Sequence, residues 1–333
     1  MDFSSRIFAL LLLSLIHSSE FCVSSVQLKC NALVASLDDQ FELCQDTALK
    51  LLGQIFSDPF QDGISFDFPD FLESTKRDLL FVNPHTPRHQ LAVEYRLRFV
   101  LPRLSAKVRL SLFADLIKLG TNVCDQIFHI CDDGNATENS PDLFLLLQIR
   151  PQLHAVLSAL FVTIPHIFCE SSSVDALLSL CHRCVRVVSP VVHSLSPEGF
   201  LPSSAAQFNA NFEGRPTEDT FVTVQLLSKT CWRSHKFISH IFSRIIEWMP
   251  SPNSLSNDQL TKIGDYFWLQ LTECRHCGAF EAAANAFRSV CVRFWKFSSA
   301  SDQFSVFTRP MAPTNCGRFD RKILCPPFVS LPA

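Results

Sequence analysis

Apolar residues recur at intervals of three and four in one stretch of the chain after another, and this constrains the fold more than any other feature. At least six segments carry the pattern. Leu104, Val108, Leu112 and Leu116 form one stripe, and Val174, Leu177, Cys181, Val185 and Val188 form another. Over 222–249, Leu227, Cys231, Ile238, Phe242, Ile245 and Met249 share a helical face that Pro250 and Pro252 terminate. Ser256 followed by Gln259 has the form of a capping box, opening a helix faced by Leu260, Ile263, Phe267 and Leu271. Gly278 is read as the break before a last helix faced by Phe280, Ala283, Phe287, Val290 and Phe294. Only 9 glycines occur in 333 residues, against a usual share of ~7%, so turn-rich β architectures and glycine-lined phosphate loops are disfavoured. The expected class is all-α.

No strand–helix alternation appears, and the helices follow one another with no common centre suggested by the sequence. Antiparallel helix pairs of this kind are satisfied by stacking, so a HEAT/armadillo-like solenoid is expected, with a compact bundle as the alternative. The span 143–164 is apolar nearly all round, interrupted at Pro151, and is expected to lie inside its neighbours. The expected organisation is a helical N-terminal segment over 1–85, a helical repeat region over 86–196, a loop over 197–220, a helical block over 221–297 and an irregular tail over 298–333. Charge is segregated: 38–73 carries nine acids and one lysine, whereas 86–110 carries six Arg or Lys and one glutamate. These stretches either face each other or face different partners.

Fourteen cysteines are too few for a disulfide-built scaffold of this length. Two Cys-x-x-Cys pairs, Cys181–Cys184 around His182 and Cys274–Cys277 around His276, lie too far apart in sequence for a paired zinc site. Each is read as two apolar side chains on one helix facing a core, with no metal. At the N-terminus, the apolar run 7–16 resembles a secretory signal peptide, and Asn135 sits in an Asn-x-Thr sequon, so a secreted helical protein with disulfides is the alternative to a cytoplasmic one. That run is too short for a membrane span.

Motifs for catalysis are missing. The chain has no Gly-x-Ser-x-Gly elbow, no Gly-x-x-x-x-Gly-Lys loop, no dinucleotide fingerprint and no His-Glu-x-x-His, so neither catalytic residues nor a cofactor are expected. The net charge of −3 supplies no uniform field for nucleic acid, which leaves local patches. Lys229, Arg233, Lys236, His240 and Arg244 recur at steps of 4, 3, 4 and 4, on one helical face opposite the apolar stripe. Arg96, Arg98, Arg103, Lys107 and Arg109 form a second cluster. Either row is a set of cations in line that suits RNA phosphates, or an ordinary solvated face.

The blocks Cys231-Trp232-Arg233-Ser234 and Arg275-His276-Cys277-Gly278-Ala279-Phe280-Glu281, in that order around the helix-loop-helix between them, resemble the thyroid adenoma-associated protein (THADA) family. The resemblance is firm over 221–296, which would be the start of that family's central domain. It implies a cytosolic, non-catalytic armadillo-like protein that binds tRNA and a separate methyltransferase, and so supports ribose 2′-O-methylation in the anticodon loop. It also raises the standing of the row from Lys229 to Arg244, because Arg233 belongs to the quoted motif.

Overall fold

A computed structural model of the chain describes residues 2–15, 23–57, 66–82, 87–128, 141, 143–167, 171–195, 218–251 and 254–296. Among these residues every regular element is helical and no strand occurs. The elements are α1 (Phe3–Leu15), α2 (Val23–Ser36), α3 (Glu42–Ile55), α4 (Phe68–Leu80), α5 (Pro87–Val100), α6 (Ala106–Ile127), α7 (Leu143–Gln148), α8 (Leu153–Thr163), α9 (Ser171–Val192), α10 (Glu218–Trp248), α11 (Asn257–Glu273) and α12 (Cys277–Lys296). Short 3₁₀ turns follow α5 and α8 at Leu101–Arg103 and Ile164–His166, each with a proline in its first turn, where a missing N–H costs no intrahelical bond.

Helix boundaries follow local chemistry. Asp67 caps α4 by accepting from the Asp70 N–H, and Ser105 caps α6 through Val108. At α11 the full capping box forms: the Ser256 hydroxyl accepts from the Gln259 N–H at 3.2 Å, and the Gln259 side chain accepts from the Ser256 N–H at 2.9 Å.

Burial sorts the helices around two cores that share α5. In the smaller core, Leu10, Cys30, Leu33, Leu37, Leu52 and Ile55 pack with Tyr95 and Phe99. The larger one takes Val93, Leu97 and Val100 from the same helix together with α6–α12. Opposite faces of α5 therefore serve different interiors. The acidic and basic stretches meet along this wall. Arg96 pairs with Asp38 and Asp78, Arg88 donates to Gln40 at 2.9 Å, and the Tyr95 hydroxyl donates to Asp46 at 2.6 Å.

Residues 153–160 of α8 are all buried, as its all-round apolar sequence implies, and α5, α6 and α10 pack against it. Helix α10, 31 residues long, reaches α7, α8, α9 and α12. The expected faces of α9 and α10 are buried throughout. Two stripes need correction. Val108 is 38% exposed and the buried face of α6 runs instead through Leu112, Phe113, Leu116 and Val123, while Phe280 is 42% exposed because it lies on the outer side of the first turn of α12.

Other readings change as well. The α11–α12 break falls at 274–276, and Gly278 is the second residue of α12. Cys181 and Cys184 are both buried on α9 as expected, but Cys274 is the C-cap of α11 and Cys277 opens α12 exposed, so the second pair straddles a break rather than sharing a helix face. Every cysteine among the described residues is a free thiol. Of the apolar N-terminal run, Leu10 is buried while Phe8 and Leu12 are exposed. Asn135, residues 16–22, the loop over 197–217 and the tail from 297 onward lie outside the described residues; residues 218–220, read as loop, are helical.

Candidate nucleic-acid interface

Arg98 of α5 and a row of cations on α10, more than a hundred residues apart in sequence, flank the same buried helix, α8. From the α5 side, Glu94 is 6% exposed and accepts from Gln90 at 2.9 Å and from the Ser158 hydroxyl of α8. One turn on, Arg98 stands 3.8 Å from Glu94 and keeps its side chain 39% exposed. From the α10 side come Lys229, Arg233, Lys236, His240 and Arg244, all half-buried.

Desolvation and neighbouring charge define a gradient along this seam. At its deep end His154 is fully buried. Its ring is pushed down to about 3 by that burial first, and then by the positive charges of Arg233 and Lys229, so the ring is neutral. Burial also works against the Arg233 charge, while Glu94 supports it, and one Arg233 terminal nitrogen is buried with no hydrogen-bond partner among the described residues. At the outer end the Arg244 guanidinium lies 4.5 Å from the centre of the Phe161 ring and 3.8 Å from Glu247. His240 sits 5.6 Å from the same ring and is pushed down to about 4 by burial and by Lys236 and Arg244. Arg98 is close enough for its charge to act against that of Arg244. Like charges held together on a partly buried surface favour a negatively charged occupant.

The second cluster does not survive as a unit. Arg96 is committed to Asp38 and Asp78. Arg103 is a structural cation: it lies 4.6 Å from the Phe99 ring and 5.0 Å from Phe56, and donates to the Phe99 and Leu52 carbonyls. Both are candidate RNA contacts by sequence, and the structure places them instead in the seam between α5 and the smaller core. Lys107 is exposed on α6, and Arg109 is half-buried near His166. Arg98 is thus the member that joins the α10 row.

Sequence reasoning missed His154, Ser158 and Phe161, which supply the floor between the cation rows. Glu94 had a visible signal as the lone acid among six cations, and His154 as a lone histidine in an apolar run.

The two quoted motif blocks meet at the α10–α12 contact. Trp232 stacks on His276 with ring centres 6.2 Å apart and planes at 22°. His276 caps α12, its Nδ1 accepting from the Ala279 N–H at 3.3 Å, while the Arg275 and His276 N–H groups donate to the Val192 carbonyl at 2.9 and 3.1 Å. Cys231, Ser234 and Ala279 are buried, and Phe280 and Glu281 are exposed. Below them His193 and His235 both hydrogen-bond Oε1 of Gln270, at 2.9 and 2.8 Å, and Ser239 bonds the Tyr266 hydroxyl at 2.6 Å.

Residues 172–309 match the family profile described as THADA/TRM732, DUF2428. Over this stretch the chain is similar to the THADA/TRM732 family. The match takes in α9 as well as α10–α12, and so begins ahead of the stretch marked by the motifs. The chain is 30% identical over 148 residues to the Drosophila melanogaster protein named tRNA (32-2'-O)-methyltransferase regulator THADA, covering 38% of this chain and 8% of that relative. The Homo sapiens protein of the same name is 27% identical over 168 residues, covering 34% and 9%, and the Mus musculus protein is 28% identical over 165 residues, covering 33% and 8%. The matched stretch is therefore under a tenth of each THADA relative's length. Those relatives are named as regulators rather than as methyltransferases. No solved structure matches the chain.

Among the described residues, no group of three His, Cys, Asp or Glu side chains could hold a metal. Burial holds the Cys181, Cys184 and Cys231 thiols in their protonated form. No described helix is long and apolar enough to cross a membrane.

Proposed function

We propose that this chain is a non-catalytic, cytoplasmic scaffold of armadillo-like stacked helices that binds tRNA and a separate methyltransferase, and so supports ribose 2′-O-methylation in the anticodon loop. One observation carries the reading: the family match spans the helix whose half-buried edge bears Lys229, Arg233, Lys236, His240 and Arg244, and the fold brings Arg98 alongside it across α8. Cations held in line by rigid helices suit a phosphate backbone. The names of the relatives supply the reaction this binding would serve.

The test is tRNA binding by the full chain at graded salt, with Arg98, Arg233 and Arg244 replaced by alanine singly and together. Weakened binding with a shallower salt dependence is expected. Unchanged binding removes the seam as the contact surface. Capture of a ribose methyltransferase from cytosol, abolished on cytosol depleted of that enzyme, tests the second half.

A further inference from the structure

Beyond the α10 row, α12 carries a cationic face of its own. Asn285, Arg288, Ser289, Val292 and Lys296 recur at helical spacing, on the side opposite the buried Ala283, Ala286, Val290 and Phe294. With Glu247 from the end of α10 and with Arg293, they line a cleft of about 540 Å³. Arg293 is held at its wall by donating to the Met249 carbonyl at 2.8 Å. Neither Arg288 nor Lys296 has an ion-pair partner among the described residues, so three cations face one carboxylate. Glu247 also stands 3.8 Å from Arg244, so one carboxylate borders both the cleft and the outer end of the α10 row.

We propose that this cleft seats one phosphorylated nucleotide unit of the bound RNA, carrying the RNA path from α10 onto α12. Arg288 and Lys296 take the phosphodiester, and Asn285 and Ser289 offer the amide and hydroxyl groups that pair with a ribose hydroxyl or base edge. The volume suits a ligand of that size. A nucleotide also brings ribose hydroxyl and base amino donors for the Glu247 carboxylate. The inference rests on the RNA-binding reading above.

The experiment compares tRNA binding by the full chain, by Arg288→Ala/Lys296→Ala and by Arg98→Ala/Arg244→Ala across a salt series, with helicity checked for each. Both double variants are expected to weaken binding and to lower the salt slope by about 2, one for each cation withdrawn from the phosphates. Asn285→Ala is expected to weaken binding severalfold at an unchanged slope. If the α12 pair binds like the parent while the α10 pair is weakened, the cleft assignment fails and the RNA reading stands. Failure of the parent chain to bind tRNA overturns both. Weakened methyltransferase capture with unaltered tRNA binding in the α12 variant assigns the cleft to a protein and overturns the nucleotide seat.

Discussion

The indole of Trp232 occupies the space where a side chain on Gly278 would begin: a Cβ built there lies 2.5 Å from Trp232 Nε1 and 3.0 Å from Cε2. Each motif block contributes one partner to this contact, so the order of the blocks in the sequence reflects one packed joint between α10 and α12. Gly278→Ala is expected to destabilise the chain by about 1–3 kcal/mol, because a half-buried indole has little room to yield. Trp232→Phe, which removes the crowding atoms, is expected to recover part of that stability in the double variant, read by urea denaturation of all four chains.

Glu94 holds the seam together from below. Glu94→Ala leaves the Ser158 hydroxyl and Gln90 amide without their acceptor and strips Arg98 and Arg233 of a counter-charge, with an expected cost of about 1–3 kcal/mol. Glu94→Gln, which keeps an acceptor oxygen, is expected to cost less. Chemical denaturation at neutral pH distinguishes the two.

Buried histidines make stability depend on acid. His154, His235 and His240 are held down to about 3, 4 and 4 by burial, against an ordinary value near 6.5, so the unfolded chain binds more protons than the folded one between those limits. Their contribution is fully present above pH 6.5 and is lost as pH falls toward 4. Each is expected to remove about 2 kcal/mol between pH 7 and pH 5. His154→Gln is expected to flatten the pH dependence of the urea midpoint by about one group's share.

Arg103 and Arg98 should part company in function. Arg103→Ala is expected to cost about 1–3 kcal/mol by removing its ring and carbonyl interactions, and to leave tRNA affinity unchanged. Arg98→Ala is expected to do the reverse. Paired denaturation and binding titrations on the two variants check this.

Removing the Ser256 hydroxyl tests the start of α11. Ser256→Ala is expected to cost about 0.5–2 kcal/mol, and Ser256→Asp to retain most of the stability, measured by thermal melting followed by circular dichroism.

The helical class, the α9 and α10 core faces and the Ser256 capping box were legible because each rests on spacing within a single element. What escaped was set by contacts across elements. Nothing local to Arg96 or Arg103 distinguishes them from Arg98; Asp38, Asp78 and the Phe99 cluster do so from other helices. Gly278 reads as a helix breaker in isolation, and only the approach of Trp232 shows that it sits inside a helix for want of room. The floor of the seam, His154 and Phe161, was hidden by the uniform greasiness of α8, whose sequence shows that it is enclosed without showing by what.

Helix α5 has a last consequence. Tyr95 and Phe99 anchor one interior while Val93, Leu97 and Val100 anchor the other, and Arg98 projects from the same three turns. Such a shared partition couples the two halves mechanically. They are expected to melt in a single step, and a macromolecule gripping Arg98 would stiffen the amino-terminal helices without touching them.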